Sequence, residues 1–575
     1  MRASTNLILA FILLLGCTLW FGWRQLHPTP APLQVWLNGT IITADDDNSL
    51  ASAIAIEAGE ILAVGSETDM QPWLQQGAER VDLQGKTVLP GFIEAHGHFP
   101  GIGLYAIFAD LNAAPIGEIN TLEQLTTRLR TYAARTPAGK PIVGLGYDDT
   151  LLAEKRHPTR LDLDAVSTDH PIYIIHVSGH MGVLNSAALA AQQITPETPS
   201  PEGGEIQHDP QGELTGLLTE TAFLPIFKKL THLGQFEQIK VTRSAVKTYA
   251  EQGVTTVQNG LAIKQHIKGL KLASKLGLVP QRIVLWPDQL QALDWPEQAP
   301  ELLQGDGNKV HVGAIKFQAD GSIQGYTGHL AQPYYVIGHQ HDKDYNGFPA
   351  IPRDTLVERV TQAQCAGYQT AIHGNGDATI DNILDAWEQA ITRCPQADIR
   401  HVLIHAQTIR ADQLARMAKL NATSGANLSP SFHIVHPWYW GDRHQAIFLG
   451  PERAARISPA QQTLDYGLRF STHLDAPVVP VTSMLRMWAP TTRQTHGGQV
   501  LGDALTISVM QSIRAMTIDS AWQMHLDDQI GSIEVGKKAD LVVLDKNPLS
   551  TDLDQLREIE ILETWVGGVN IYQRP

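Results

Sequence analysis

The stretch Thr87-Val-Leu-Pro-Gly-Phe-Ile-Glu-Ala-His-Gly-His-Phe99 reads as an apolar strand ending in two imidazoles, His96 and His98, separated by one glycine. Side chains at i and i+2 of a strand point to the same face, so both rings can converge on one ion where the strand stops, and Gly97 lets the backbone turn there. With 23 histidines in the chain such a pair also arises by chance, so the reading rests on partners elsewhere.

Partners occur at matching places in their own segments. His373 closes the run Tyr368-Gln-Thr-Ala-Ile-His373, and His405 closes Arg400-His-Val-Leu-Ile-His405. Asp475 follows Leu468-Arg-Phe-Ser-Thr-His-Leu474, and Lys316 sits near the end of Val310-His-Val-Gly-Ala-Ile-Lys-Phe317. Between these runs lie segments with helical periodicity, at 355–364, 380–392 and 411–420, so the chain alternates β and α, which implies a parallel sheet. Strands are expected near 88–95, 254–258, 281–286, 310–317, 368–373, 400–405, 421–425 and 468–474, the number that an α/β (β/α)8 TIM barrel needs. The carboxyl ends of barrel strands form one mouth, where His96, His98, Lys316, His373, His405 and Asp475 would meet.

In order and spacing the chain resembles the amidohydrolase superfamily of metal-dependent barrel hydrolases, and within it the YtcJ-like, amidohydrolase 3 branch. The matching pieces are Pro90-Gly-Phe-Ile-Glu-Ala-His-Gly-His98, Ser178-Gly-His-Met-Gly-Val-Leu-Asn-Ser186, Gly253-Val-Thr-Thr-Val257, Lys316-Phe-Gln-Ala-Asp-Gly-Ser322, His373-Gly-Asn-Gly-Asp377, His405-Ala-Gln407 and Asp475-Ala-Pro477. Two places depart from the branch: Ile323-Gln-Gly-Tyr326 stands where many relatives carry Gly-Ser-Arg, and His473-Leu474 precedes Asp475 where Ser-Asp-type sequences are usual.

Hydrolysis of an amide-like bond needs a nucleophile made from water at neutral pH and a polarised carbonyl. One divalent ion serves both needs: on Zn²⁺ the pKa of water falls from 15.7 to about 7, and the ion acts as a Lewis acid on the substrate oxygen. His96, His98, His373 and His405 offer neutral nitrogen ligands suited to zinc, with manganese or iron as alternatives. Asp475 is the candidate general base, the alternative being a helix cap before Pro477. Lys316 as an ammonium has no lone pair for a cation. The resemblance implies its carboxylation by CO₂ to an anionic carbamate that bridges two ions, with His96, His98 and Asp475 on one and His373 and His405 on the other. The bland alternative is a Lys316 that snorkels or pairs with Asp320, leaving a single-metal site. His180 is read either as a catalytic electrophile toward the substrate carbonyl or as a structural donor. Asp377 would orient its loop or start the next helix and Asp320 would stand behind the ligands, while Trp438-Tyr439-Trp440 would wall an apolar pocket, pack a lid or meet a partner.

Length and composition bound the rest. At 575 residues the chain exceeds one compact barrel. The expected organisation is residues 1–32 as an N-terminal anchor or signal with a Pro-rich linker, a barrel over 89–489 interrupted by an insertion at 103–245, and a composite β-sandwich of 33–88 with 490–575, which the resemblance also implies. A formal net charge of −16, with no Lys/Arg cluster, argues against a nucleic-acid partner. Cys17, Cys365 and Cys394 have no zinc spacing; Cys365 and Cys394 flank the fifth strand and read as two buried thiols, the alternative being a disulfide in an oxidising compartment. Leu7 to Trp23 is free of charge, which suits an uncleaved membrane anchor carrying an extracytoplasmic or periplasmic catalytic body. Together these features predict a metal-dependent amidohydrolase acting on a non-peptide C–N bond of a small amide, N-substituted formamide or cyclic amide. A metal-dependent esterase, lactonase or phosphoesterase is the alternative on the same ligands, and a non-catalytic binding module a more distant one.

Overall fold

The computed structural model describes residues 26–30, 32–201, 203–337 and 342–575, and its fold is α/β. Parallel strands run in two arcs whose order follows the chain. The first arc is Phe92–Ile93, Val254–Ala262, Arg282–Pro287 and Val310–Val312; the second is Ile315–Gln318, Thr370–Gly374, Val402–His405, Ser429–His433 and Ser471–His473. A parallel bridge between Asp288 and Lys316 joins the arcs. At the opposite edge Asp475 N donates to His96 O at 3.3 Å and His98 N to Ala476 O at 2.9 Å. The buried Arg486 guanidinium ties the same seam, donating to Ile93 O at 2.8 Å and to Thr472 Oγ1 at 2.9 Å.

Alternation along the strands sorts the side chains into two faces. Ile283, Leu285, Ile315, Phe317, Ile372 and Leu403 pack outward against the helices, in the largest core cluster. Val284, Trp286, Ala314, Ala371, Val402 and Ile404 face inward and meet Ala521, Met524, Leu526 and Ile530. Lys316 and His373 share the inward parity of Ala314 and Ala371.

Three elements in this region differ from the expectation. Residues 421–425 are not a strand: helix Ala411–Ser424 runs through them and stops at Gly425 with φ +68°, and the strand is Ser429–His433. A helix C-terminus closed by a left-handed glycine is ordinary chemistry, whereas Pro430 lowers the apparent strand propensity of the true element. The run 310–317 is broken at Gly313-Ala314 into two short strands, one in each arc. The segment 87–95 also divides, because Thr87–Pro90 pairs with Leu541–Leu544 while Phe92–Ile93 pairs with Val254–Ala262. Gly91 is the crossing point, where a Cβ would lie 2.2 Å from Thr255 Cγ2.

Both ends of the described chain meet in two further sheets. One is ordered Glu60–Gly65, Ala53–Glu57, Gln34–Leu37, Glu79–Asp82; the other Val569–Gln573, Ile561–Val566, Leu541–Leu544, Thr87–Pro90, Thr40–Ile42, Leu50–Ala51. Trp36, Ile41, Ile54, Val88, Leu541 and Val543 form one core between them. Within residues 103–245 lies a six-stranded sheet that includes Ile142–Tyr147, Ile172–His176 and Met181–Leu184. Cys365 and Cys394 form a disulfide between helix Arg353–Cys365 and the end of helix Asp377–Arg393, which corrects the expectation of two thiols. Sequence spacing hides the pairing, because packing of the two helices brings the Cα atoms to 5.2 Å across 29 residues. Among the described residues no helix is long and apolar enough to cross a membrane, and the apolar run 7–23 lies outside them.

Candidate metal centre

His96, His98 and Asp475 stand together, their ligand atoms all within 4.8 Å of one another. Asp475 Oδ1 lies 3.2 Å from His98 Nε2 and 3.5 Å from His96 Nε2, and Asp475 Oδ2 lies 3.8 Å from His405 Nε2. Lys316 Nζ is 3.2 Å from His96 Nε2. His373 joins through its ring, whose centroid is 4.4 Å from that of His405. The six ligand candidates named from the sequence are thus neighbours, and among the described residues no Lys316–Asp320 pair forms.

Local backbone features explain how they meet. His96 stacks on Trp286 with 5.8 Å between centroids, over Gly260, where a Cβ would fall 2.1 Å from His96 Cε1; any larger residue there would expel the ring. Gly97 N donates to Gln258 Oε1 at 2.8 Å, fixing the turn between the two histidines. By strict alternation His405 would point outward with Leu403. Its φ of +70° breaks the pleat and brings the ring inside, and Asp475 likewise sits at φ +57°. Non-glycine residues are held in that region only where their surroundings impose it, and such positions concentrate at functional sites.

Asp320 stands behind His373. Fully buried, its Oδ1 lies 3.1 Å from His373 Nδ1 and accepts from Asn375 N at 3.0 Å, while Oδ2 accepts from Gly376 N at 2.9 Å and His329 N at 3.2 Å. That contact leaves His373 Nε2, 3.4 Å from Asn375 Nδ2, as the nitrogen available to the centre. Burial holds the His96, His373 and His405 imidazoles below their usual proton affinity, hence neutral, which is the ligating form. Burial also brings the Lys316 amine down to about 7, although the Asp475 carboxylate opposes it. Asp475 is held well below the usual carboxylate range: burial works against ionisation, but His96 and His98 outweigh it.

The donor set fits a divalent cation. Asp475 Oδ1 is buried and accepts no hydrogen bond, an arrangement costly for an ionised oxygen unless a cation faces it. Neutral imidazole nitrogens are the other donors at hand, and nitrogen-rich sets suit zinc among the common ions.

The other predicted residues fall around this centre. His180 Nδ1 lies 3.0 Å from Glu220 Oε2; burial alone would lower its proton affinity, but Glu220, with Asp475 and Asp320 further off, raises it. Asp377 starts helix Asp377–Arg393, and its carboxylate accepts from Ala331 N at 2.8 Å and pairs with Arg410 at 3.3 Å. Trp440 is fully buried and packs on His433 and His436, so it is interior filling and not a pocket wall. Sequence reading missed Glu220, His433 and His436 and treated His473 only as a departure. His433 escaped because its strand was set eight residues too early, and Glu220 carries no local signal, since helix Glu220–Leu230 meets His180 only in the fold.

Asp148, Asp149 and His176 form a second group whose ligand atoms cluster. Their bonding disfavours ligation by His176. Ser178 N donates to His176 Nδ1 at 3.2 Å, so in the neutral ring the proton is on Nε2, which faces Asp149 Oδ1 at 3.2 Å. Asp148 is already committed to Arg443 at 2.6 Å.

The family model described as "Amidohydrolase family" matches residues 79–572, most of the chain. Among curated proteins, the chain is 29% identical over 554 residues to an N-substituted formamide deformylase of Arthrobacter pascens, covering 94% of this chain and 98% of that protein. It is 28% identical to the putative amidohydrolase YtcJ of Bacillus subtilis, covering 94% and 99%. Among solved structures, an uncharacterized metal-dependent hydrolase of Pyrococcus horikoshii superposes with a TM-score of 0.72 at 24% identity, covering 91% of this chain and 99% of that one, a likeness of fold.

Proposed function

The chain belongs to the amidohydrolase family, and from that premise we propose a metal-dependent hydrolase that cleaves a non-peptide C–N bond of a small amide, N-substituted formamide or cyclic amide. The observation that carries the reading is the unpartnered, buried Asp475 Oδ1 facing His96 and His98. The formamide specificity named for the Arthrobacter pascens relative supports the substrate class.

In this reading His96, His98, His373 and His405 would hold the ion or ions, zinc being the best match to their nitrogens, and Lys316, once carboxylated by CO₂ with loss of a proton, would add an anionic oxygen ligand. When bound, such an ion lowers the pKa of water and polarises a carbonyl. Asp475 accepts the proton of the attacking water and delivers it to the leaving nitrogen. His180, oriented by Glu220, donates a hydrogen bond to the substrate carbonyl oxygen as charge develops there. The two parallel arcs are the halves of a (β/α)8 barrel, with Val310–Val312 and Ile315–Gln318 counted as one strand. The barrel takes residues 89–489 with the insertion 103–245, and 33–88 with 490–575 form a β-sandwich domain. The Cys365–Cys394 disulfide supports folding in an oxidising compartment, consistent with an anchor in residues 7–23 and a catalytic body outside the cytoplasm.

The test is turnover of zinc-loaded protein on a panel of N-substituted formamides, simple amides and lactams, with esters and lactones alongside, in wild type and Asp475→Asn. Release of amine by the wild type, reduced about 10²–10⁴-fold in Asp475→Asn, is expected. Turnover of esters alone would overturn the C–N assignment, and an unaffected variant would remove Asp475 from the mechanism.

A further inference from the structure

The inward side chains of strands Ser429–His433 and Ser471–His473 break with the apolar interior. Ser431, His433, Ser471 and His473 are all but inaccessible, in positions equivalent to those where the neighbouring strands place Val284, Trp286, Ala371, Val402 and Ile404. Burying hydroxyls and imidazoles costs free energy unless they are bonded, and a chain of five contacts ties Ser431, Ser471 and His473 to the metal centre. His405 Nδ1 lies 3.0 Å from His473 Nε2, and His473 Nδ1 lies 2.9 Å from Ser431 Oγ. Ser431 Oγ lies 2.8 Å from Ser471 Oγ, which in turn meets Gln523 Oε1. Gln523 Nε2 donates to Ala95 O at 2.8 Å, one residue before His96.

The far end of this chain fixes its direction. Ala95 O is a carbonyl and can only accept, so the Gln523 amide must turn its nitrogen there and its oxygen toward Ser471. Ser471 Oγ is placed to donate both to Gln523 Oε1 and to Ser431 Oγ but has one proton; Gln523 Oε1 can only accept and takes it, which leaves Ser431 as the donor in the contact between the two hydroxyls. Ser431 Oγ is left to accept from His473 Nδ1–H. A neutral His473 protonated on Nδ1 has a bare Nε2, which accepts from His405 Nδ1–H. The consequence is a bare His405 Nε2, the nitrogen aimed at Asp475 across 3.8 Å. Stacking of His433 on His473, at 5.6 Å between centroids and 13° between planes, keeps the His473 ring in line.

We propose that His473 is a positioning residue of the metal centre, at the head of a Ser431–Ser471–Gln523 relay that locks His405 in the tautomer presenting Nε2 to a divalent cation. The inference rests on the metal reading of the proposed function. It assigns a purpose to the residue at which the sequence departs from its family, and to Gln523, which touches no candidate ligand side chain.

The experiment measures the apparent Zn²⁺ dissociation constant of the full chain by competition with a chromophoric chelator, and the unfolding midpoint of the metal-free protein, in wild type, His473→Leu, His473→Gln and Gln523→Leu. His473→Leu should weaken zinc binding about 10–100-fold, the scale for losing the hydrogen-bond partner of a ligating imidazole. His473→Gln, whose Oε1 can replace Nε2 as acceptor, should recover most of that loss. Gln523→Leu should weaken binding in the same direction, whereas a purely structural role would lower the metal-free midpoint and leave the zinc affinity of the folded protein unchanged. Wild-type binding with unchanged affinity in both leucine variants overturns the relay, as does a His473→Gln protein as impaired as His473→Leu. A wild type that takes up no divalent ion overturns the metal reading itself, and the relay with it. Should His473→Leu fail to fold, Gln523→Leu alone decides, by the same criterion.

Discussion

His401, at the foot of the strand that ends in His405, makes part of the acid stability of this protein calculable. The ring is fully buried and stacks on Trp387, with 5.6 Å between centroids and 9° between planes. Its Nδ1 accepts from Thr370 N at 2.9 Å, so Nε2 carries the proton and donates to Gln364 Oε1 at 2.9 Å. Neither bond has room for a second proton, and burial takes the imidazole from 6.5 down to about 3. A depressed folded-state value means that the unfolded chain binds more protons between these limits, so the contribution is complete above 6.5 and is lost as pH falls toward 3. The full span corresponds to about 5 kcal/mol, of which about 2 kcal/mol disappears between pH 7 and pH 5. Urea titrations at those two pH values, on wild type and His401→Asn, read the effect. Asparagine still offers an oxygen to Thr370 N but does not titrate. The variant should be less stable at pH 7, yet lose about 2 kcal/mol less than wild type on going to pH 5. Parallel losses in the two proteins would refute the argument, because the buried ring would then contribute nothing to the pH dependence.

Other perturbations test other joints. Arg282 and Asp540 form a buried pair at 2.6 Å between the first arc and the terminal sheet, with Asp540 also accepting from Gly567 N at 2.7 Å. Asp540→Asn should lower stability by about 3–5 kcal/mol by leaving the guanidinium unpaired, and an unchanged melting midpoint would show that the joint carries no load. Reducing the Cys365–Cys394 disulfide opens a loop of 29 residues and should cost about 3–4 kcal/mol, read as a lower melting midpoint with reductant that Cys365→Ser reproduces without it. Glu220→Gln removes the carboxylate that raises the proton affinity of His180. Its activity should therefore decline at lower pH than that of wild type, and coincident pH profiles would detach His180 from the reaction.

Most of the ligand candidates were legible in the sequence because they lie at or just beyond a strand end, marked locally by an apolar run and a following glycine or polar turn; Lys316, the second residue of Ile315–Gln318, lies inside its strand. Parity along a strand is equally local, so Lys316 and His373 could be assigned to one face from Ala314 and Ala371 alone. The rest depends on contacts that sequence separation conceals. Gly91 looks like a turn residue, but its size matters because Thr255 crosses it, and Gly260 matters because the His96 ring lies over it. Glu220 meets His180 across 40 residues, and Gln523 reaches Ala95 across 428.

His405 shows where periodicity itself misleads. Alternation from Val402 and Ile404 assigns it to the helix-facing side, and only its left-handed backbone reverses the assignment. The hydrophobic pattern of a strand reports the average demand of the core, so a residue that serves the centre at the strand's last position must depart from that pattern. The departure persists only if surrounding bonds stabilise the unusual backbone by more than its cost of about 1–3 kcal/mol. Around His405 those bonds include Ala406 N to Gly374 O at 3.1 Å and the contact with His473 at 3.0 Å. The same residue therefore needs a partner strand for its backbone and a buried imidazole for its side chain, and neither is written within ten positions of it.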